Sequence, residues 1–346
     1  MSDAASVRRE EVWKAFGGRL TRSHEGYLFI LIIAYCLIVN GINSSFLSLE
    51  NIFDVLKSSS IMGTMAIGVF VVVLSGGIDI SFTAIATVSM FVTVKILLGF
   101  TGNVALAFAM AGVIGMLMGC INAVLVHFCR LPTLIVTLGT SSIFHGGLLA
   151  LARIPYIYTV PPYLFGFSRR MAFSWKAASG ATVGLSMMTV IVLAVALLTW
   201  AILRYTSIGR GVYAIGGNAE AAKRAGFNIA RIQFFIYGYV GLLSGVASME
   251  YVALVRHVHP FNLMDILLDI IAAVVLGGTS LAGGRGTVGG TLLGVLMIYL
   301  IRNSLVLMRI PSYWDSVIVG LVIVVSTGIN AYGRTLGRSG RKAIDA

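Results

Sequence analysis

The stretch from Val183 to Leu203 runs without one charged residue. Such a segment is long enough to cross a bilayer core of about 30 Å, where a chain must satisfy its backbone polar groups internally. Similar apolar runs fall near 27–42, 52–75, 81–100, 104–128, 132–152, 180–203, 232–253, 264–282, 287–308 and 315–332. The expectation is an all-α polytopic membrane protein with about ten transmembrane helices, some short, broken by glycine or re-entrant. Charged residues make up 11% of the 346, against roughly a quarter in soluble domains. A chain this poor in charge cannot cover its surface for water. Its 40 glycines suit helices that pack closely in lipid.

The net charge of +12 sits between the apolar runs and at both ends. That pattern reads as topology and contact with lipid headgroups, not as nucleic-acid binding. Residues 1–26 carry Arg8, Arg9, Lys14, Arg19 and Arg22 and lack the pattern of a cleavable signal, so they read as a cytosolic tail. Residues 333–346 carry Arg334, Arg338, Arg341 and Lys342 and read as a second cytosolic tail. Between the tails, 27–332 form one transmembrane domain. The loop 204–231 carries Arg204, Arg210, Lys223, Arg224 and Arg231, and the positive-inside rule places it in the cytoplasm with both termini. The loop 153–176 is also basic, but an odd number of crossings separates it from 204–231. Its Tyr156, Tyr158, Tyr163, Phe165, Phe167, Phe173 and Trp175 suit a cap at the outer membrane interface.

Within 204–231 lies a polar island, "IGGNAEAAKRAGFNIARIQ". Asn218 is placed to cap a short helix, and Ala219 to Ala225 favour it. Glu220 lies toward the positive end of its dipole, with Lys223 and Arg224 toward the negative end. Glu220 and Arg224 stand at pairing distance, and Gly226 stops the helix. The segment is too short to span and too polar for lipid. It is either a docking element or a solvated linker.

The island resembles the cytoplasmic coupling loop in the permease subunit of carbohydrate ABC importers, the ribose/xylose/galactoside class. The family pattern G-x-N-x-x-A-A-x-x-x-G is met here by Gly216 or Gly217, Asn218, Ala221, Ala222 and Gly226. Three further blocks carry the likeness: "LSGGIDIS" (74–81), "LPTLIVTLGTSSIFHGG" (131–147) and "DIIAAVVLGGTSLAGGRGTVGGTLLGVLMI" (269–298). After the first block this chain has Phe82-Thr83-Ala84 where the family has a small residue and glycine. The resemblance implies a permease of the bacterial inner membrane that moves a sugar or sugar-like solute. It implies a homodimer with the pathway between two copies, an ABC ATPase subunit on the cytoplasmic side and a periplasmic solute-binding protein. Asn218, Glu220, Ala221, Ala222, Arg224 and Gly226 are the expected ATPase-coupling residues.

"LSGG" (74–77) also spells the start of an ABC ATPase signature, but no G-x-x-x-x-G-K-[ST] phosphate loop occurs in the chain. The expectation is a transport subunit and not an enzyme, with no cofactor of its own and ATP handled by a partner. Asp79 either lines the pathway or ends a helix at the cytosolic interface, with Ser81 capping the next helix. Asn122, Ser141 and Ser142 are polar positions inside apolar runs, able to meet a polyhydroxylated solute or to bond neighbouring helices. Asp265 and Asp269 share a helix face and read as a gate at the interface, as contacts of Arg256 or Arg285, or as a plain interfacial helix start. His257 and His259 lack a further metal ligand, and Cys36, Cys120 and Cys129 read as small buried thiols. "VVVLSGGIDIS" (71–81) echoes "AAVVLGGTSLAGG" (272–284), a sign of pseudo-repeated halves. The rival reading is a secondary transporter driven by an ion gradient, with Asp79 carrying a proton.

Overall fold

The computed structural model describes residues 24–99, 102–152, 156–176, 180, 182–311, 313–321 and 324. Its elements in chain order begin with α1 (His24–Ile42), α2 (Leu49–Leu74), α3 (Phe82–Leu97), α4 (Val104–Cys129) and α5 (Thr133–Leu151). Next come α6 (Pro162–Ser168), β1 (Met171–Lys176), β2 (Thr182–Ser186), α7 (Met187–Tyr205), α8 (Ser207–Gly217) and α9 (Ala219–Arg224). Last are α10 (Ile229–Val255), α11 (Leu267–Leu276) and α12 (Val288–Leu307), with residues 313–321 also helical. Most of the 1–26 tail and all of the 333–346 tail lie outside the described residues.

Small polar residues set the helix starts. Ser48, Asn103, Ser186, Thr206, Asn218, Asn228 and Thr287 each accept a first-turn backbone N–H. This satisfies donors that lipid cannot. Among the described residues, seven helices are long and apolar enough to cross a membrane: α1, α2, α4, α5, α7, α10 and α12. The runs expected at 81–100 and 264–282 are shorter, α3 with 16 residues and α11 with 10. By rise per residue α11 covers only about 15 Å, half the bilayer core. The run expected at 315–332 is described only in its first part.

Glycine ends α2 and α11 in one repeated way. At the end of α2, Gly76 takes φ +80°, its N–H donates to the Val73 carbonyl (2.9 Å), and the Gly77 N–H reaches back to Val72 (3.2 Å). At the end of α11, Gly278 takes φ +91°, its N–H donates to Val275 (2.9 Å), and the Thr279 N–H reaches Val274 (3.3 Å). Both are Schellman caps with glycine in the left-handed position. The sequence echo between 71–81 and 272–284 is thus the same backbone turn made twice.

Two expectations change. The run expected from 180 begins as a strand, since β1 and β2 form an antiparallel hairpin and α7 starts only at Met187. Val183 and Gly184 pair with Trp175 and Ser174, and hydropathy does not separate an apolar strand from a helix start. The 204–231 loop also holds a second helix, α8, before the polar island. Its glycine-rich sequence hides it, but Thr206 caps it and Gly209 lets it turn tightly on α7, where a Cβ would lie 2.4 Å from the Ile202 carbonyl oxygen.

α10 is the central helix, packed along α4 and against α2 and α3. From Ser59 to Leu74, α2 is buried throughout. The ends of the bundle are distinct. The 277–287 loop meets the start of α1, where His24 Nε2 bonds the Leu276 carbonyl (3.0 Å), and it also meets the end of α8 at Gly216. The N-terminal start and the polar island therefore share one end. Residues 156–176 lie at the other, where Ile157 bridges to Val258 beyond the far end of α10.

Candidate functional site

The polar island folds into α9, six residues held by caps at both ends. Asn218 Oδ1 accepts the Ala221 N–H at 2.9 Å. At the other end the Gly226 N–H donates to Lys223 (3.0 Å) and the Phe227 N–H to Ala222 (3.2 Å), a Schellman cap with Gly226 at φ +85°. The helix presents its polar face outward. Ala219, Glu220, Ala221, Lys223, Arg224 and Ala225 are exposed, whereas Ala222 is 3% exposed and turns back onto the protein. Glu220 and Arg224 form no ion pair with each other among the described residues, so both charges face outward. Nothing lies within 4 Å of a Cβ built on Gly226, so Gly226→Ala costs only backbone strain, about 1 kcal/mol. The expected outcome is faster amide exchange over 219–224 with the rest of the protein unchanged.

The second part is the break between α2 and α3, residues 75–81. Asp79 is fully buried. Its Oδ1 accepts both the Ser81 N–H (2.6 Å) and the Ser81 hydroxyl (2.7 Å). Asn122, from α4, donates its Nδ2–H to the Ser81 Oγ at 2.7 Å. From α5, Thr133 Oγ1 accepts the Ile78 N–H (3.0 Å), and Thr137 Oγ1 accepts the Ile80 N–H (3.2 Å). The Tyr237 hydroxyl of α10 lies 3.3 Å from where a Gly77 Cβ would stand. The backbone freed by Gly76–Gly77 is thus bonded by side chains from neighbouring helices, the condition for irregular chain within a membrane bundle.

Of the four pathway candidates, the fold unites Asp79, Ser81 and Asn122. Ser141 stands apart, half-buried on α5, and the Ser142 hydroxyl returns to the Leu138 carbonyl (3.1 Å). The cap expected from Ser81 is not made: its side chain forms no cap bond to α3, and its hydroxyl instead donates to Asp79 Oδ1 and accepts from Asn122 Nδ2. Asp79 lies beyond the end of α2, within the break, and has no exposure.

Asp269 finds neither Arg256 nor Arg285. It pairs with Arg302 of α12, which also lies 3.0 Å from Asp315. Arg256 instead sits over the Phe165 ring, 4.9 Å from its centre. His259 stacks on Tyr156 at 4.0 Å, while His257 Nδ1 lies against the Val255 carbonyl. Cys129 is exposed and Cys36 and Cys120 are half-buried, so none of the three is a fully buried thiol. One buried group escaped the sequence reading. Glu250 of α10 is fully buried and accepts the Thr64 hydroxyl of α2 at 3.0 Å. Its signal was present, a lone acid inside an apolar helix, which costs about 2.5–3.5 kcal/mol on insertion scales and so needs a partner.

The family model described as branched-chain amino acid transport system / permease component matches residues 51–327. The chain belongs to this family of transport-system permeases. The ribose import permease RbsC of Haemophilus influenzae is 33% identical over 305 residues, spanning 88% of this chain and 92% of that protein. The Bacillus subtilis ribose import permease RbsC is 35% identical over 299 residues, 86% of this chain and 89% of that protein. The autoinducer 2 import permease LsrC of Yersinia enterocolitica is 31% identical over 305 residues, 88% of this chain and 82% of that protein. No solved structure matches. The family match begins within α2 and runs past α12, and the chain is a multi-pass membrane permease, a transport subunit.

Proposed function

We propose that this chain is the transmembrane subunit of an ATP-driven ABC importer for a sugar or sugar-like solute in the bacterial inner membrane. The observation that carries the reading is α9, a capped and outward-facing polar helix set between apolar spans. Its caps fix it in place, its small residues allow close approach, and its unpaired charges set register on a partner. That partner is an ABC ATPase subunit. The relatives' ribose and autoinducer 2 import functions support the solute class. Two copies enclose the pathway, both termini and α9 face the cytoplasm, and a periplasmic solute-binding protein meets the opposite end. The positive-inside rule supports this orientation, as does the shared end of α1 and α9.

Asp79, Ser81 and Asn122 stand beside the pathway in this proposal. Asp79 Oδ2 and Asn122 Oδ1 are buried without a protein partner among the described residues. Orphaned oxygens at a backbone break are ready to meet water or a solute hydroxyl when the break opens. Ser141 is assigned the same role farther along α5.

The test is affinity purification of the chain from its native membrane, with the co-purifying proteins identified. An ABC ATPase with a phosphate loop is expected. Reversing both charges (Glu220→Lys with Arg224→Glu) is expected to reduce its yield at least about tenfold, because misplaced charge at an interface costs several kcal/mol. Both residues are exposed, so folding is expected to hold. Undiminished ATPase yield from the reversed chain would sink the docking role of α9.

A further inference from the structure

Gly216 is the penultimate residue of α8, two positions before the Asn218 cap, and it is pressed against two other stretches of backbone. A Cβ on Gly216 would lie 2.0 Å from the Leu74 carbonyl oxygen and 2.4 Å from the Gly284 nitrogen. Leu74 is the last residue of α2. Its carbonyl accepts the Gly284 N–H at 2.8 Å. Gly283, at φ +84°, closes the contact: a Cβ there would lie 2.7 Å from the Gly76 nitrogen and 2.8 Å from the Gly216 Cα. One turn earlier on α8, the Tyr213 hydroxyl donates to the Gly286 carbonyl at 3.0 Å. Three main chains therefore touch with no side chain between them. They are the end of α8, the start of the α2–α3 break and the 277–287 loop that comes after the second of the two repeated turns.

Contact of this kind transmits displacement. Side chains change rotamer and absorb small shifts, whereas hydrogen-bonded backbones in van der Waals contact move together or part. Asp79 is three residues beyond Gly76. We infer that Gly216 is a positioning residue for transport, passing movement of α9 directly to the Asp79 break and to the loop after α11. The inference rests on the reading of α9 as the ATPase dock. It assigns the route by which that dock reaches the membrane interior. Gly217 supplies an internal control, since a Cβ there meets nothing within 4 Å. Neither Gly216 nor Gly217 has positive φ, so alanine at either differs only in the space it needs.

The experiment uses the purified complex with its ATPase, in a chain whose native cysteines are replaced by alanine and which carries Ile78→Cys in the break. The readout is the labelling rate of that cysteine by N-ethylmaleimide, without nucleotide and with ATP plus vanadate. In the parent the rate is expected to change at least roughly fivefold with nucleotide, the lower end of ordinary coupling between sites. Gly217→Ala is expected to keep that change. Gly216→Ala is expected to abolish it while ATP hydrolysis continues. A full nucleotide response in Gly216→Ala would overturn the inference while leaving the dock intact. Failure of the parent to hold an ATPase would remove the dock, and the inference with it. Should Gly216→Ala not assemble, Tyr213→Phe decides, because it removes one hydroxyl and adds no bulk. A clearly smaller response supports the inference, and an unchanged one overturns it.

Discussion

Gly119→Leu is expected to leave little folded protein, and Gly119→Ala to lower the thermal midpoint of what remains by several degrees. The reason is the seam between α4 and α10. A Cβ on Gly119 would lie 2.0 Å from the Tyr237 carbonyl oxygen, and one on Gly115 would lie 2.1 Å from that of Gly241. From the other side, a Cβ on Gly241 would lie 2.2 Å from the Gly115 carbonyl oxygen, and one on Gly245 would lie 2.0 Å from that of Ala111. The spacing of four on both helices is the small-xxx-small pattern that brings membrane helices into main-chain contact. Two effects oppose each other in Gly119→Ala. Alanine favours the helix over glycine by about 1 kcal/mol. Overpacking a close contact costs about 1–3 kcal/mol, and here the obstacle is a carbonyl that cannot swing aside, so the clash wins. Gly41 of α1 is the comparison, with nothing within 4 Å of its Cβ. Gly41→Ala is expected to be neutral or slightly stabilising. Fluorescence-detected gel filtration after heating distinguishes the two, and equal midpoints for Gly41→Ala and Gly119→Ala would refute the seam's role.

Much of this fold is written in short-range chemistry. Runs such as 104–128 announce membrane helices because an apolar span in lipid must satisfy its backbone within itself. Asn218 and Gly226 mark the ends of α9 because capping depends on residues one to three positions away. The echo at 71–81 and 272–284 was legible for the same reason, a glycine turn being a local event. Features that depend on distant partners were not. Nothing near Asp269 in the sequence points to Arg302, and nothing in "TVGLS" says that it will pair with "MAFSWK" before α7 begins. The cluster at the α2–α3 break was half-readable. Asp79 could be singled out as a costly acid, and Asn122 as a polar residue in an apolar run, but their meeting through Ser81 required the packing of α4 on the break. α8 stayed hidden because its glycines, which look like loop residues, are there to let other backbones come close.

Asp79 gives the sharper test, because two substitutions separate what its carboxylate does. In Asp79→Ala, the Ser81 N–H and hydroxyl lose their acceptor in a fully buried place. Hydrogen bonds to a charged group are worth about 1.5–3 kcal/mol each, and the stranded donors add a desolvation cost. The start of α3 then loosens, and Asn122 keeps only a partner that is itself adrift. Solute uptake into cells is expected to fall at least about tenfold, with a lower thermal midpoint in detergent. Asp79→Asn keeps an acceptor oxygen in the Oδ1 position, removes the charge and puts an amide NH2 in the place of Oδ2. If Asp79 acts as the keystone of the break, the asparagine variant retains uptake within about threefold, since both Ser81 bonds are kept, as neutral bonds in place of stronger ones. If it carried a proton for gradient-driven transport, the same variant would keep its stability and lose uptake, because an amide has no proton to carry. Loss of transport in a fully stable Asp79→Asn, together with collapse of wild-type uptake when a protonophore is added at constant ATP, would transfer the energy source from the ATPase at α9 to this carboxylate.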